Sequence, residues 1–418
     1  MGIFTNVVAN WRTKIQETHA SLFVWILTAI ILAVVKLVLG KYNNYQIFRH
    51  VYWHAINGQS LYGPYPDEYY DYNFYGILFS LVIAPFALLP EWLGMILWVV
   101  ANTAVLFYAI KQLPLTKHQL FFVYAYSYVE LMTAQGVQQF NISIAAFILL
   151  AFAFILKKKD FWAAAIILIG TFIKIYPIVG LAFFFFSKQK LRFTLYCVFW
   201  ALVCFVIPML YTSGPDYVLS QYAEWFQQIA EKNGSNHFAL SQNVSLLGVV
   251  RKLSGDPQYS DLWLIVPGLI LFLLPYLRIS QYKHLRFKLM LLANVLLFTV
   301  LFSTGSEASG YVLVMIGVSI WYMASPSPHQ RYNFILMVVT FVIVGLSTTE
   351  LVPAFIRNDF IRPYTVKAWP CILVWMTIVY EMCFLDFNVY CPFNKKKKTI
   401  FEATMDKFRI SGNDKVGR

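Results

Sequence analysis

Long apolar blocks separated by short polar punctuation run along almost the whole chain. They lie at 20–40, 74–90, 92–112, 119–134, 140–156, 161–174, 175–187, 192–211, 262–279, 288–303, 309–325, 332–349 and 367–386. A helix crossing a bilayer needs about 20 such residues, and somewhat fewer where protein surrounds it. The pattern therefore predicts an all-α polytopic transmembrane protein with about 11–13 spans, the range reflecting short pieces broken by Gly or Pro. Two connections, 41–73 and 212–261, are too long for simple helix turns, and Tyr and Trp are frequent in both. Long loops of that kind are functional or disordered, and the aromatic content predicts order. Within the second, Asp216 to Lys232 reads as an amphipathic helix suited to a bilayer surface.

Composition removes the alternatives. Hydrophobic residues make up 59% of the 418 positions and charged residues 13%, about half the roughly 25% usual in soluble proteins. A soluble enzyme has no way to bury that surface. The first block is too long for a signal-peptide core and lacks a small-residue cleavage site, which predicts a retained first helix. The five cysteines lie in or beside apolar blocks without CxxC spacing, so neither a disulfide framework nor a zinc site is indicated.

The formal charge of +13 sits at the ends of apolar blocks, in Lys157–Lys159, Lys188–Arg192, Arg278–Lys288 and Lys395–Lys398. This is the cytoplasmic-loop signature of membrane proteins and not a nucleic-acid footprint. Alternation from Lys157–Lys159 places 212–261, 304–308 and 350–366 outside. An inside start at Arg12 and Lys14 places 41–73 outside as well, provided that one segment between 74 and 156 is re-entrant or broken. The expected segment is 119–134, which is short and polar at both ends. One membrane domain over 1–390 and a basic cytoplasmic tail over 391–418 complete the plan; the tail carries eight Lys or Arg and three acids, suited to anionic headgroups.

Ionisable and amide groups near span ends mark the candidate chemistry. Loop 58–76 gathers Asp67, Glu68 and Asp71 among aromatic rings, where a carboxylate can act as a general base; a solvated acidic tip is the competing reading. Lys174 and Tyr176 flank a Pro break in the middle of 161–187, at the expected outer turn, where an ammonium and a hydroxyl suit a phosphate. A snorkelling lysine is the plainer alternative. Gln139 and Asn141, and Gln242 and Asn243 ahead of a short apolar helix carrying Arg251, are amides able to read sugar hydroxyls, or simple polar caps. Glu307 stands in a short outer loop, and Arg362 could meet a phosphate or pair with Asp359. Asn243-Val244-Ser245 and Asn233-Gly234-Ser235 match glycosylation sequons, a pattern common by chance. There is no Walker loop, GxSxG, HExxH or clear DxD.

Taken in order, these features resemble the GT-C superfamily of membrane glycosyltransferases, specifically family 87, the polyprenyl-phosphate-mannose type. The resemblance rests on Asn44 to Phe48 followed by Gly58 to Tyr62, on Ala84 to Pro90 with Leu97-Trp98, and on Gln135 to Asn141. It continues through Ile173 to Pro177, the basic run after Phe183, and Asn243 to Gly248. It covers residues 20–350. The family pattern has an Asp early in the first outer loop, where its enzymes place the catalytic base; this chain has Asn44, which cannot accept the proton.

The resemblance implies an inverting transfer of mannose or another hexose or pentose from a polyprenyl-phosphate donor to a glycan or glycolipid acceptor, at the outer face of a bacterial plasma membrane. The base would be Asp71, with Asp67 or Glu68 behind it. Lys174, Tyr176 and Arg362 would hold the donor phosphate. Asn44, Gln139, Asn141, Gln242, Asn243 and Glu307 would contact sugar or acceptor. No cofactor or metal is expected, and the expected partners are membrane lipids and the two substrates, not nucleic acid. A lipid-linked glycan ligase or polymerase, and a flippase or transporter, are the rival classes.

Overall fold

The computed structural model describes residues 2–239, 242–256, 258–327 and 329–388, and of 2–19 the backbone alone. The expected basic tail over 391–418 lies outside the described residues. The chain opens with α1 (Gly2–Val38), α2 (Asn43–Ile56), α3 (Phe79–Ala87), α4 (Glu91–Lys111) and α5 (Lys117–Gly136). There follow α6 (Asn141–Leu156), α7 (Asp160–Ile173), a 3₁₀ segment (Tyr176–Phe186), α8 (Lys190–Val206), α9 (Pro215–Ser235) and α10 (Leu246–Ser254). The last part holds α11 (Leu262–Leu273), α12 (Leu285–Leu301), α13 (Tyr311–Ala324), α14 (Gln330–Thr340), a short α15 (Ala354–Ile356) and α16 (Ala368–Phe384). Every apolar block of the sequence is occupied by a helix. The fold is all-α, as the pattern predicts, and polytopic in character.

Among the described residues, three helices are long and apolar enough to cross a membrane alone, Ala20–Val38, Glu91–Lys111 and Lys190–Leu210, and there are several shorter apolar helices. The division of labour follows burial. Every residue of α13 is buried, as is nearly all of α12 and α6. By contrast α1, α8 and α11 expose rows of large apolar side chains such as Phe23, Leu202 and Trp263. A helix apolar all round belongs in a core or against lipid, and here the first three form the core and the last three the apolar rim.

Contacts between loops sort the helix ends into two sets. Lys157 Nζ donates to Gln112 Oε1 at 2.7 Å, Ser187 Oγ donates to Asp160 Oδ2 at 2.6 Å, and Arg278 Nη1 donates to Leu385 O at 2.7 Å. These basic loops share one end of the bundle, here the basic end. At the other, the loop end, α2 meets the start of α4 through Arg49 and Glu91 (3.3 Å). Asn44 there donates to Val137 O at the close of α5 (2.8 Å).

This sorting corrects one expectation. Segment 119–134 is neither short nor broken: it belongs to α5, an uninterrupted helix of 20 residues, about 30 Å long. Its N-terminus is closed by a capping box between Thr116 and Gln119. The short element is α3, whose 9 residues reach only about 14 Å. It begins and ends at the loop end, where Tyr45 Oη donates to Phe86 O and Arg49 Nε to Ala87 O. Block 74–90 is apolar enough to suggest a span, but residues 74–78 are irregular and Asn73 bonds both ways with the backbone of Tyr75.

Over their described residues, both long connections are ordered. The second contains α9 and α10, at the positions expected for the amphipathic helix and the short helix carrying Arg251. The amphipathic helix does not rest on a bilayer alone. Its inner face covers the first connection, with Gln221 Oε1 accepting from Leu61 N (2.8 Å), Tyr217 Oη donating to Gln59 O (2.7 Å) and Trp225 Nε1 donating to Phe74 O (3.0 Å). Leu219 and Phe226 remain exposed on its other face.

Candidate active site

Lys174 stands at the apex of a helical hairpin. α7 ends at Ile173, Lys174 is extended (φ −151°, ψ 128°), and Pro177 starts the returning 3₁₀ segment, where its missing N–H costs nothing. The two arms meet closely because Gly170 has no side chain: a Cβ there would stand 2.7 Å from Pro177 Cβ. The apex therefore points into the loop end. There the Lys174 ammonium donates to Asn141 Oδ1 at 3.0 Å and lies 5.1 Å and 5.3 Å from the ring centroids of Tyr75 and Tyr176. An ammonium carries three N–H bonds, so this geometry leaves room for an anion.

A polar relay runs from Lys174 to a carboxylate. Asn141 Nδ2 donates to Ser309 Oγ (2.9 Å), and Ser309 Oγ faces Glu307 Oε2 at 3.5 Å. Glu307 is half-buried, and its strand-like backbone pairs with Gln242 while Val244 N donates to Ser306 O (2.9 Å). Glu307 and Lys232 are the charged groups whose fields reach Lys174. Tyr176 Oη bonds Ser303 Oγ at 3.0 Å, and a small pocket lined by Asn141, Tyr176, Ser303 and Glu307 opens beside it.

The first long connection is pressed onto the same apex. Gly76 N donates to Ile173 O (2.9 Å), and a Cβ at Gly76 would stand 2.2 Å from Phe172 O, so only glycine allows the approach. This places Tyr75 under Lys174, with its hydroxyl donating to Gln139 Oε1 (3.0 Å). Four residues before Tyr75, Asp71 adopts a left-handed backbone (φ 72°). Asn43 supports it by holding Tyr70 with two bonds, Nδ2 to Tyr70 O and Tyr70 N to Oδ1, both 2.7 Å. Asp71 Oδ2 lies 3.9 Å from Lys232 Nζ, and that ammonium sits 4.4 Å from the Phe74 ring centroid. Asp71 is thus linked to Lys232, and Lys232 and Glu307 both act electrostatically on Lys174, so the four charged groups form a chain at the loop end.

The other residues singled out in the sequence take varied places. Asn44 is occupied in tying α2 to α5; an ionised carboxylate there would have no proton to give Val137 O. Asp67 is exposed at the loop tip. Glu68 accepts from the buried His54 Nε2 (2.8 Å) and lies 3.8 Å from His50 Nε2. Asn243 is fully buried, its amide bonded to His237 O and its Oδ1 accepting from Ser245 Oγ; the sequon around it is thus internal to the fold. Arg362 is exposed, and its neighbour Arg357 pairs with Glu350 at 2.8 Å. No described contact joins Arg362 to the Lys174 pocket. Sequence reading missed Lys232, Tyr75, Ser303 and Ser309, which are ordinary residues until the loops are assembled.

The His54–Glu68 pair also sets an expected pH response. Burial outweighs the nearby carboxylate and holds the His54 pKa below its usual value. The unfolded chain then binds more protons than the folded one, so stability is full above about pH 6.5 and falls as the medium is acidified below it. His54→Gln should flatten the decline in unfolding temperature between pH 7 and 5. An unchanged slope would assign the response to other groups.

Residues 73–304, more than half of the chain, match the model of Glycosyltransferase family 87. The matched stretch begins just after Asp71 and takes in Lys174, Tyr176 and the whole second connection. No curated protein matches the chain.

Proposed function

The chain belongs to glycosyltransferase family 87, and on that premise we propose that it moves a sugar, mannose or a related hexose or pentose, from polyprenyl phosphate to a glycan or glycolipid acceptor with inversion. The loop end faces the outer side of a bacterial plasma membrane in this reading, because the opposite end carries the basic loops. The observation that carries it is Lys174: a cation at a hairpin apex, bonded to one amide and flanked by two phenol rings, whose partners Asn141 and Tyr176 line a small pocket.

The chemistry follows from the chain of charges. The acceptor hydroxyl attacks the anomeric carbon, and its proton passes to the Asp71 carboxylate. The bond from that carbon to the phosphate oxygen breaks on the opposite face, and the electron pair leaves with the lipid phosphate. Negative charge builds on that oxygen, where Lys174 stabilises it electrostatically and the Tyr176 hydroxyl donates. Asn141 fixes the direction of the Lys174 ammonium, and Gln139, Gln242 and Glu307 line the route for sugar hydroxyls. Arg362, which is exposed and is not among the residues lining the pocket, is assigned no role in this step.

Lys174→Ala is expected to weaken binding of a polyprenyl-phosphate sugar by about ten- to a hundredfold, the loss of a charge-assisted contact worth about 1.5–3 kcal/mol. Lys174→Arg should keep part of the affinity, because charge survives while geometry changes. Equilibrium binding of radiolabelled donor to the purified protein in nanodiscs is the measurement. Wild-type affinity in Lys174→Ala would move the phosphate site elsewhere.

A further inference from the structure

A second, larger cavity lies on the other side of Ser303. It has a volume of about 490 Å³ and is walled by the end of α9, by α10, by the start of α11 and by residues 302–304. That is within the roughly 300–1,000 Å³ typical of ligand pockets and far above the ~30 Å³ share of one water. Arg251, 1% exposed, is part of its wall. One nitrogen, Nη2, donates to Tyr259 O (2.6 Å) and to Asp261 Oδ1 (2.9 Å). The Nε and Nη1 atoms are buried and have no hydrogen-bond partner. A guanidinium carries five N–H donors, so three of them are left without an acceptor. Buried donors in folded proteins are nearly always satisfied, and a charged donor left bare inside a formed cavity points to a ligand oxygen.

The surroundings say which kind. Asp261 is 12% exposed at its side chain, and its second oxygen faces His237 Nε2 at 4.0 Å, so it can accept from a hydroxyl. Ser260, Asn233 and Thr304 line the rest of the wall. Free guanidinium donors bind ionised oxygens more strongly than hydroxyls. Ser303 lines both this cavity and the pocket at Asn141 and Tyr176, so one residue stands between the two.

We propose that the Arg251 cavity is the acceptor subsite, and that it takes a polyhydroxylated group bearing a phosphate or carboxylate. The assignment rests on the glycosyl-transfer reading and deepens it. The anion occupies the free donors of Arg251, and neighbouring hydroxyls reach Asp261 and Ser260. The hydroxyl to be glycosylated then points past Ser303 towards Lys174.

The test uses the full chain in nanodiscs of neutral lipid, with glucose 6-phosphate and glucose as probes in calorimetric titration. Glucose 6-phosphate is expected to bind at least about tenfold more tightly than glucose. Ser260→Trp, which fills the cavity from its exposed rim and leaves the Arg251–Asp261 pair intact, should abolish that binding while thermal unfolding stays as in wild type. Arg251→Gln should remove the preference for the phosphorylated sugar, and Lys174→Ala should preserve it. Competition by phosphatidylglycerol in the nanodisc would identify a lipid-borne acceptor; absence of competition would identify a free glycan. Equal binding of both probes, or tight binding in Ser260→Trp, overturns the subsite. So does loss in Lys174→Ala alone, which would place the anion at the donor site. Transfer from radiolabelled polyprenyl-phosphate sugar is scored separately. Transfer with cavity-independent glucose 6-phosphate binding rejects the subsite only. Cavity-dependent binding without transfer to any acceptor rejects the transferase reading.

Discussion

Asp71→Asn is expected to lower sugar transfer by about a hundred- to ten-thousandfold, the usual cost of losing a general base, and to leave the fold intact. The reasons for the second half are local. Asparagine tolerates a left-handed backbone nearly as well as aspartate, so φ 72° is kept. The Oδ1 atom that accepts from Tyr72 N at 2.9 Å survives the change. The lost ion pair with Lys232 is long, at 3.9 Å, and its carboxylate is 52% exposed; such surface pairs contribute about 0–1 kcal/mol. The change therefore removes a proton acceptor and little else. Asp67→Asn should do less, because Asp67 points from the tip of the loop. Glu68→Gln should disturb the His54 contact more than the chemistry. Glu307→Gln is the decisive control, since Glu307 is the carboxylate whose field reaches Lys174. Full transfer in Asp71→Asn together with its loss in Glu307→Gln would assign the base to Glu307. Full transfer in all four would exclude a carboxylate base at this site.

Lys367→Met is expected to destabilise the protein by about 3–5 kcal/mol, the penalty for stranding one member of a buried ion pair. Lys367 at the start of α16 lies 2.8 Å from Glu130 Oε2 in α5, with side-chain exposures of 3% and 0%. The same ammonium sits 4.9 Å from the Tyr311 ring centroid in α13, so three helices meet at one charge. The other Glu130 oxygen is buried and already without a partner, which makes the carboxylate depend on Lys367. The double variant Glu130→Gln, Lys367→Met should recover most of the loss, because an amide beside a thioether leaves no bare charge. Denaturant or thermal unfolding of the purified variants measures this. A double variant no more stable than Lys367→Met would show that the two residues are not coupled.

Much of this architecture was legible in the chain because hydropathy is a local property. A block of apolar residues near 20 long has few ways to satisfy its backbone against lipid other than as a helix, and the basic runs state which helix ends lie together. The apex residues stood out for a related reason. Lys174, Tyr176 and Pro177 are neighbours in sequence, and a lysine interrupting an apolar stretch is conspicuous without any structure. What hydropathy does not measure is helix length. Block 74–90 and the block within α5 look alike in apolar content, yet Asn73, Tyr75 and Gly76 anchor the first to the loop end and leave only α3 helical. Nor does it report partners. Asn44 looks like a vacancy in a catalytic pattern until Val137 O is seen to need its N–H. Glu130 and Lys367 look like a polar patch in a helix and a loop residue until packing brings them together across 237 positions. The bare donors of Arg251 exist only because α9, α10 and α11 close around them. Segment type follows from nearby residues. Which polar group meets which follows from contacts between distant ones, and those are decided when the helices pack.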